Sequence, residues 1–387
     1  MPTTTATVRT ELSASRVVRL HLSIAAALTA VVAVAPHLIR HPNAPSRLHV
    51  WADGVLGGWL RWDGWWYVMI ARHGYTYSPH HMSSIAYFPL YPLVARVVAE
   101  LLPGGTALAT ILVTVASGAC ALALFHAWCR RRMNAPAARS ALIVLALYPF
   151  AWFLYGSAYS DALFLALALG AFLLLENDRP LLAGLVGALA TAARPTGVTL
   201  VIGLVAVMVQ RRHVRGQPIA AWLRGRDLGV LLSVAGLATW CAYLAMRFHN
   251  PFAFIETEGA PGWDQSPGLH TWLKLDFFHK ISTLAIVESM AIVLQLLVLV
   301  AFVCLLPTVA RRIGTGYAVY AGAAILAPAI STGDFLGMGR YMLAAFPVFA
   351  VIGLAVYDAP WRRMASLVSG ALLVVGAALF SSGYLIS

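Results

Sequence analysis

The stretch TALATILVTVASGACALALFHAWCRRR, residues 106–132, carries no charged side chain before Arg130 and then three arginines in a row. At ~1.5 Å of rise per residue, residues 106–129 make a helix of about 36 Å, enough to cross the ~30 Å hydrocarbon core of a bilayer. The run Arg130-Arg131-Arg132 marks the cytoplasmic end, because short cytoplasmic loops are enriched in Arg and Lys.

The same pattern recurs from end to end. Of the 387 residues, 60% are hydrophobic and 11% charged, against roughly 25% charged in soluble domains. That excludes an ordinary water-soluble fold and predicts an all-α polytopic membrane protein forming one integral domain over residues 1–387. Basic residues number 27 against 15 acidic, a net charge of +12, and 25 of the 27 are arginine. They lie in short clusters between apolar runs, so they read as topology markers, and no nucleic-acid partner is expected. Cys120, Cys129, Cys241 and Cys304 all sit inside apolar runs, which suggests packing residues and neither a disulfide framework nor a metal knuckle.

Placing the clusters Arg130–Arg132 with Arg139, Arg179, Arg211 to Arg226, Arg311-Arg312 and Arg362-Arg363 in the cytoplasm predicts about eleven spans. They fall near 17–39, 106–129, 140–156, 161–177, 181–194, 195–210, 228–247, 284–306, 316–331, 341–357 and 364–386, with the N-terminus cytoplasmic and the C-terminus outside. The first apolar run, Leu22 to Ala35, follows Arg9, Arg16 and Arg19 as a secretory signal would. Pro36 at the would-be cleavage position argues for a retained first span. Leu181 to Gln210 has basic loops at both ends, yet as one helix it would be ~45 Å long. Two short legs turning near Arg194-Pro195 keep the pattern and bring Arg194 to the outer side.

Two segments are too polar to span. Residues 42–105 form a first outer loop rich in Trp, Tyr, Gly, His and Pro, and residues 248–283 form a second. Within the first, 51–72 and 88–102 have amphipathic helical spacing and are expected along the outer interface. This topology gathers Asp63, His73, His80, His81, Tyr91, Tyr159, Asp161, Arg194, Glu256, Glu258, Asp264, Asp334, Arg340 and Tyr341 on one side. Ionisable residues at membrane depth are costly and therefore functional candidates. Asp63, set among tryptophans in Arg61-Trp62-Asp63-Gly64-Trp65-Trp66-Tyr67, can serve as a general base or simply cap an interfacial helix.

That string, with Ile70-Ala71-Arg72-His73-Gly74-Tyr75 and Phe88-Pro89-Leu90-Tyr91-Pro92, resembles the first outer loop of PIG-V-type mannosyltransferases. Three later blocks agree: Leu147-Tyr148-Pro149-Phe150 through Tyr159-Ser160-Asp161-Ala162-Leu163-Phe164, then Ala193-Arg194-Pro195-Thr196-Gly197, and Gly339-Arg340-Tyr341 with Ala345-Phe346-Pro347. The ordered set runs from about residue 60 to 350. The resemblance implies a GT-C glycosyltransferase fold, a polyprenyl-phosphate sugar donor, mannose as the sugar, and Asp63 as the acid of the first outer loop. At Asp161 the family often has Glu after Thr, and here Ser160-Asp161 keeps the carboxylate. Eukaryotic members act on glycosylphosphatidylinositol precursors. The Arg-rich, Lys-poor composition points instead to a GC-rich bacterial genome and a plasma-membrane enzyme of the cell envelope, with some other lipid- or glycan-linked acceptor.

The chemistry can also be argued directly. No Gly-rich phosphate loop or Asp-x-Asp pair stands on an inner loop, so a glycosyl donor used outside must arrive attached to lipid. An inverting displacement needs one base for the incoming hydroxyl and cations for the departing phosphate. Asp63 is assigned as that base, Arg340 and Arg194 as phosphate partners, and Asp161 as orienting the acceptor or an arginine. Tyr91 and Trp66 either line the sugar site or anchor the interface, and His73 and Tyr341 complete the candidate substrate-binding set. No cofactor is required. His73, His80 and His81 match no zinc spacing, so no metal site is expected. The alternatives are a secondary transporter, which would place its polar groups near the midplane and often show repeats, and a non-catalytic membrane scaffold.

Overall fold

The computed structural model describes residues 12–39, 41, 54–216, 227–265 and 268–386. Arg9, residues 42–53 of the expected first outer loop, and Arg224 and Arg226 of the basic cluster lie outside the described residues. The helices in chain order are α1 (Ala14–Leu38), α2 (Asp63–His73), α3 (Leu90–Leu101), α4 (Gly105–Arg130), α5 (Ala135–Ala146), α6 (Asp161–Glu176), α7 (Pro180–Thr191) and α8 (Val198–Val214). They continue as α9 (Ala235–Phe248), α10 (Ala253–Glu258), α11 (Leu269–Trp272), α12 (Leu275–Thr283), α13 (Ile286–Arg312), α14 (Thr315–Ser331), α15 (Met338–Tyr341), α16 (Phe346–Val356) and α17 (Arg362–Ser381). No strand occurs among the described residues.

Proline decides where several expected spans break. α5 begins where the Asn134 side chain accepts from the Ala137 N–H at 2.9 Å, with proline in the first turn. It stops at Ala146 instead of running on to 156. Pro149 lacks a helical donor and disfavours helical backbone at Tyr148, so the chain continues as a 3-10 turn, Ala151–Leu154. The 181–210 interval does turn at Arg194-Pro195. Arg194 is extended, with φ −164° and ψ 155°, as steric conflict with the proline ring favours. The interval expected at 341–357 is instead a helical pair, Met338–Ala344 and Phe346–Val356, bent by 87°. Of the interval at 228–247, the first part lies in a 3-10 segment, Asp227–Val234, and the rest in α9.

Among the described residues six helices are long and apolar enough to cross a membrane, or seven if the bent pair is one span, against the eleven expected. The difference is one of length: Ala135–Ala146, Pro180–Thr191 and Thr315–Ser331 are apolar but short, and α6 has only 16 residues. At ~1.5 Å per residue the first two reach only about 18 Å.

α6 is buried on most sides at the centre of the bundle, whereas α1, α13 and α17 leave leucines and valines such as Leu297, Val300, Leu367 and Val375 exposed. Such faces suit lipid, where apolar surface carries no hydration cost. Close approach at the centre depends on Gly118 of α4. A Cβ there would meet the Leu154 carbonyl oxygen at 2.0 Å and the His21 ring at 2.7 Å.

The two ends of the bundle differ in charge. At one end arginines meet acids: Arg131 and Arg132 with Glu176, Arg211 and Arg215 with Asp178, and Arg212 with Asp227. The other end collects the start of α2, the loop 155–160, the α7–α8 turn and α15.

Candidate active site

Trp62 takes φ 55° and ψ −120°, a backbone conformation that costs a non-glycine residue of order 1–3 kcal/mol and persists only where the surroundings enforce it. The enforcing contacts are visible. The Arg61 Nε–H donates to the Ser381 carbonyl at the end of α17 at 2.8 Å, and the Ala158 N–H donates to the Trp59 carbonyl at 3.0 Å. The Tyr159 hydroxyl donates to the Arg61 carbonyl at 3.3 Å and accepts from the Asp63 N–H at 3.1 Å. The strained residue thus turns the chain so that Asp63 opens α2, where the helix dipole favours a carboxylate.

Both oxygens of Asp63 are engaged. Oδ1 accepts from the Tyr87 hydroxyl at 3.0 Å and Oδ2 from Arg340 Nη1 at 3.0 Å, yet about a third of the side chain (32%) stays accessible. Burial, followed by the charge of Asp63, pushes the Tyr87 phenol well above its ordinary pKa, so this hydroxyl keeps its proton and acts as a donor. Trp66 stacks on Tyr87 at 5.8 Å, and Trp263, between α10 and α11, packs on both rings at 5.9 Å. The segments around Trp66, Tyr87 and Trp263 therefore meet beside the carboxylate.

Arg340 comes from α15, 277 residues further along the chain. Its guanidinium lies 4.8 Å from the Tyr159 ring and 5.0 Å from the Tyr341 ring, and Nη2 donates to the Tyr341 hydroxyl at 3.2 Å. Its Nε–H is buried and has no hydrogen-bond partner among the described residues. Arg194, from the α7–α8 turn, lies 5.3 Å from the same Tyr341 ring and donates through Nη1 to Asp161 Oδ1 at 2.5 Å. Both members of this second pair are buried. Ser160 Oγ and the Tyr67 hydroxyl are hydrogen-bonded at 3.1 Å, tying the start of α6 to α2. One tyrosine ring thus joins two arginine–carboxylate pairs, one partly open and one closed.

The structure brings together Asp63, Arg340, Tyr341, Arg194 and Asp161, with Trp66 at the rim. Two expected members fall elsewhere. The Tyr91 side chain is buried, and its hydroxyl bonds with the Thr110 carbonyl and Thr114 Oγ1, both at 2.7 Å, in a layer beneath Tyr67. His73 is exposed in the last turn of α2, about 15 Å from Asp63 along the helix. His80 and His81 are also exposed. Glu256 is occupied by Tyr77 and Asn250, and Asp334 by Lys280. Among the described residues no group of three or more His, Cys, Asp and Glu side chains is placed to hold a metal. Tyr87 is the member that sequence reasoning missed. It stands in an aromatic-rich loop, and nothing in its spacing distinguishes it from its neighbours.

A model of the family described as Mannosyltransferase (PIG-V) matches residues 13–238, a range that includes Asp63, Asp161 and Arg194 but not Arg340. GPI alpha-1,6-mannosyltransferase 2 of Cricetulus griseus is 35% identical over 159 residues, 38% of this chain and 31% of that protein. The Homo sapiens protein of the same name is 33% identical over 159 residues. The match therefore spans about a third of the length of these relatives. Among solved structures, ArnT from Cupriavidus metallidurans bound to undecaprenyl phosphate superposes on 97% of this chain and 77% of its own, with TM-score 0.52 and 15% identity. The Archaeoglobus fulgidus oligosaccharyltransferase in complex with Zn and sulfate covers 94% of this chain and 53% of its own, with TM-score 0.50 and 14% identity. These likenesses show a shared fold, the GT-C type of polytopic membrane protein.

Proposed function

The chain belongs to the mannosyltransferase (PIG-V) family, and from that premise we propose that it moves a mannosyl residue from a polyprenyl-phosphate donor to a hydroxyl of a lipid- or glycan-linked acceptor, with inversion, on the outer face of the plasma membrane. The observation that carries this reading is the placement of Asp63, Arg340 and the Arg194–Asp161 pair around Tyr341. One accessible carboxylate and two guanidiniums, one with an unused N–H, make up the set that displacement of a phosphate by a hydroxyl calls for.

In the proposed reaction the acceptor oxygen attacks the anomeric carbon as Asp63 takes its proton, and the bond from that carbon to the phosphate oxygen breaks. The electron pair leaves with polyprenyl phosphate. A phosphate departs without needing a proton, so the second carboxylic acid of a glycosidase is dispensable. Charge building on the leaving oxygens is met by Arg340 and Arg194, since guanidinium geometry matches phosphate. Asp161 then serves to hold Arg194 in place. Tyr87 fixes the orientation of the base, and Trp66 and Trp263 supply apolar surface that limits water near the sugar. The ligand that ArnT holds, undecaprenyl phosphate, is of the class assigned here to the leaving group.

The test uses the purified full chain in lipid. Radiolabelled mannose is expected to pass from polyprenyl-phosphate mannose to acceptor lipid and not from a soluble nucleotide sugar. Arg340→Ala is expected to raise the KM for the donor about 10- to 100-fold, as loss of a charge-assisted hydrogen bond does, with the KM for acceptor little changed. Equal effects on both substrates would contradict the phosphate assignment. Transport of intact substrate without transfer would support the transporter reading.

A further inference from the structure

At the end of the bundle remote from Asp63, a cavity of about 780 Å³ opens between the end of α4 and the starts of α5 and α17. Along α17 it lies roughly 30 Å from the Ser381 contact that positions Arg61. Arg130, Arg139, Arg362 and Arg363 all line it, and its remaining wall includes Ile143, Leu147 and Leu367.

Three features distinguish this cluster from a set of topology markers. The first is that two of its four arginines stand without an ion pair. At the same end of the molecule Arg131, Arg132, Arg211, Arg212 and Arg215 each meet a carboxylate, whereas Arg139 and Arg363 have no ion-pair partner among the described residues. The second is position. Arg362 and Arg363 open α17, whose first turn contains no acid, and α5 likewise starts at the cavity without one. Cations there oppose the positive ends of the helix dipoles, an arrangement that an anion would relieve. The third is the wall: Leu367 is 74% exposed, with Met364 and Val368 exposed beside it. The cavity is therefore continuous with an apolar face suited to lipid. A soluble anion would make no use of that wall.

We propose that this cavity binds an anionic phospholipid, with the phosphate among the four arginines and the upper part of one acyl chain along Ile143, Leu147 and Leu367. The volume falls within the ~300–1,000 Å³ of small-ligand sites, enough for a headgroup and the first part of a chain. Basic pockets between membrane helices recognise anionic headgroups in this way. The site is independent of the transfer chemistry, so its test does not depend on activity.

Native mass spectrometry of the full chain, titrated with phosphatidylglycerol or with phosphatidylcholine of the same acyl chains, reads the binding directly. The expected result is a clear preference for phosphatidylglycerol, reduced about 30-fold in Arg139→Gln/Arg363→Gln at roughly 1 kcal/mol per arginine. Arg139→Lys/Arg363→Lys is expected to retain most of the preference, which separates loss of charge from loss of fold. Arg211→Gln/Arg215→Gln, at the same end but paired with Asp178, is expected to keep it. The proposal is overturned if the Arg139→Gln/Arg363→Gln protein binds phosphatidylglycerol as the parent does, or if the Arg211→Gln/Arg215→Gln protein loses it equally. Full displacement of the lipid by millimolar inorganic phosphate would also overturn it, by showing a free-anion site.

Discussion

Asp63→Asn is expected to lower the turnover of mannosyl transfer by about 10²- to 10⁴-fold, the range contributed by a positioned general base, while the protein folds and holds its donor normally. The substitution is nearly isosteric. The amide oxygen can still accept from Tyr87, and the Asp63 N–H contact to Tyr159 is a backbone bond that the change does not touch. What disappears is the capacity to take a proton and the charge that engages Arg340. Because that charge competes with the donor phosphate for the same guanidinium, donor affinity in the variant is expected to be unchanged or higher. A rapid-quench measurement of transfer, paired with donor binding on the same preparation, checks both halves. Near-normal turnover would remove Asp63 from the role of base, and a parallel loss of donor binding would make it a binding residue instead.

The second large effect concerns stability. Arg194 and Asp161 are both buried, and removing one partner of a buried pair leaves the other charge uncompensated, at a cost of ~3–5 kcal/mol. Asp161→Ala and Arg194→Ala are each expected to destabilise the protein by about that amount in denaturant unfolding. The combined variant Asp161→Leu/Arg194→Met replaces both charges by apolar side chains of similar length. It is expected to recover stability to within ~1 kcal/mol of the parent and still to fail in transfer, because the phosphate loses a partner. Single substitutions costing under ~1 kcal/mol would show a pair screened by solvent. Recovery of transfer in the double variant would assign the pair to the fold alone.

These residues also show how far the sequence could be read. Asp63 was legible because an acid among four aromatic residues in an otherwise apolar chain is chemically conspicuous. Arg194 was legible because a topology argument forced the chain to turn at Pro195. The contact between Asp63 and Arg340 was not, since local periodicity carries no information about register between segments 277 residues apart. The two readings of Tyr91 stayed open because a tyrosine in an amphipathic stretch looks the same whatever its hydroxyl meets, and here it meets a carbonyl on the neighbouring helix. His73 is near Asp63 in sequence but not in space, since ten residues along a helix move a side chain about 15 Å from the one that starts it. Hydropathy located the apolar segments but not their breaks, which depend on Pro149 and on the bend before Pro347.

The central claim is that the carboxylate of Asp63 and the guanidiniums of Arg340 and Arg194 address one sugar phosphate from two sides. A cryo-electron microscopy structure of the full chain with a non-hydrolysable polyprenyl-phosphate mannose analogue tests it most directly. The expected result is phosphate oxygens within ~3.2 Å of both guanidiniums, with Asp63 facing the anomeric carbon from the side opposite the phosphate. A phosphate seated away from Arg340 and Arg194, or a sugar whose anomeric carbon Asp63 does not face, would contradict the account.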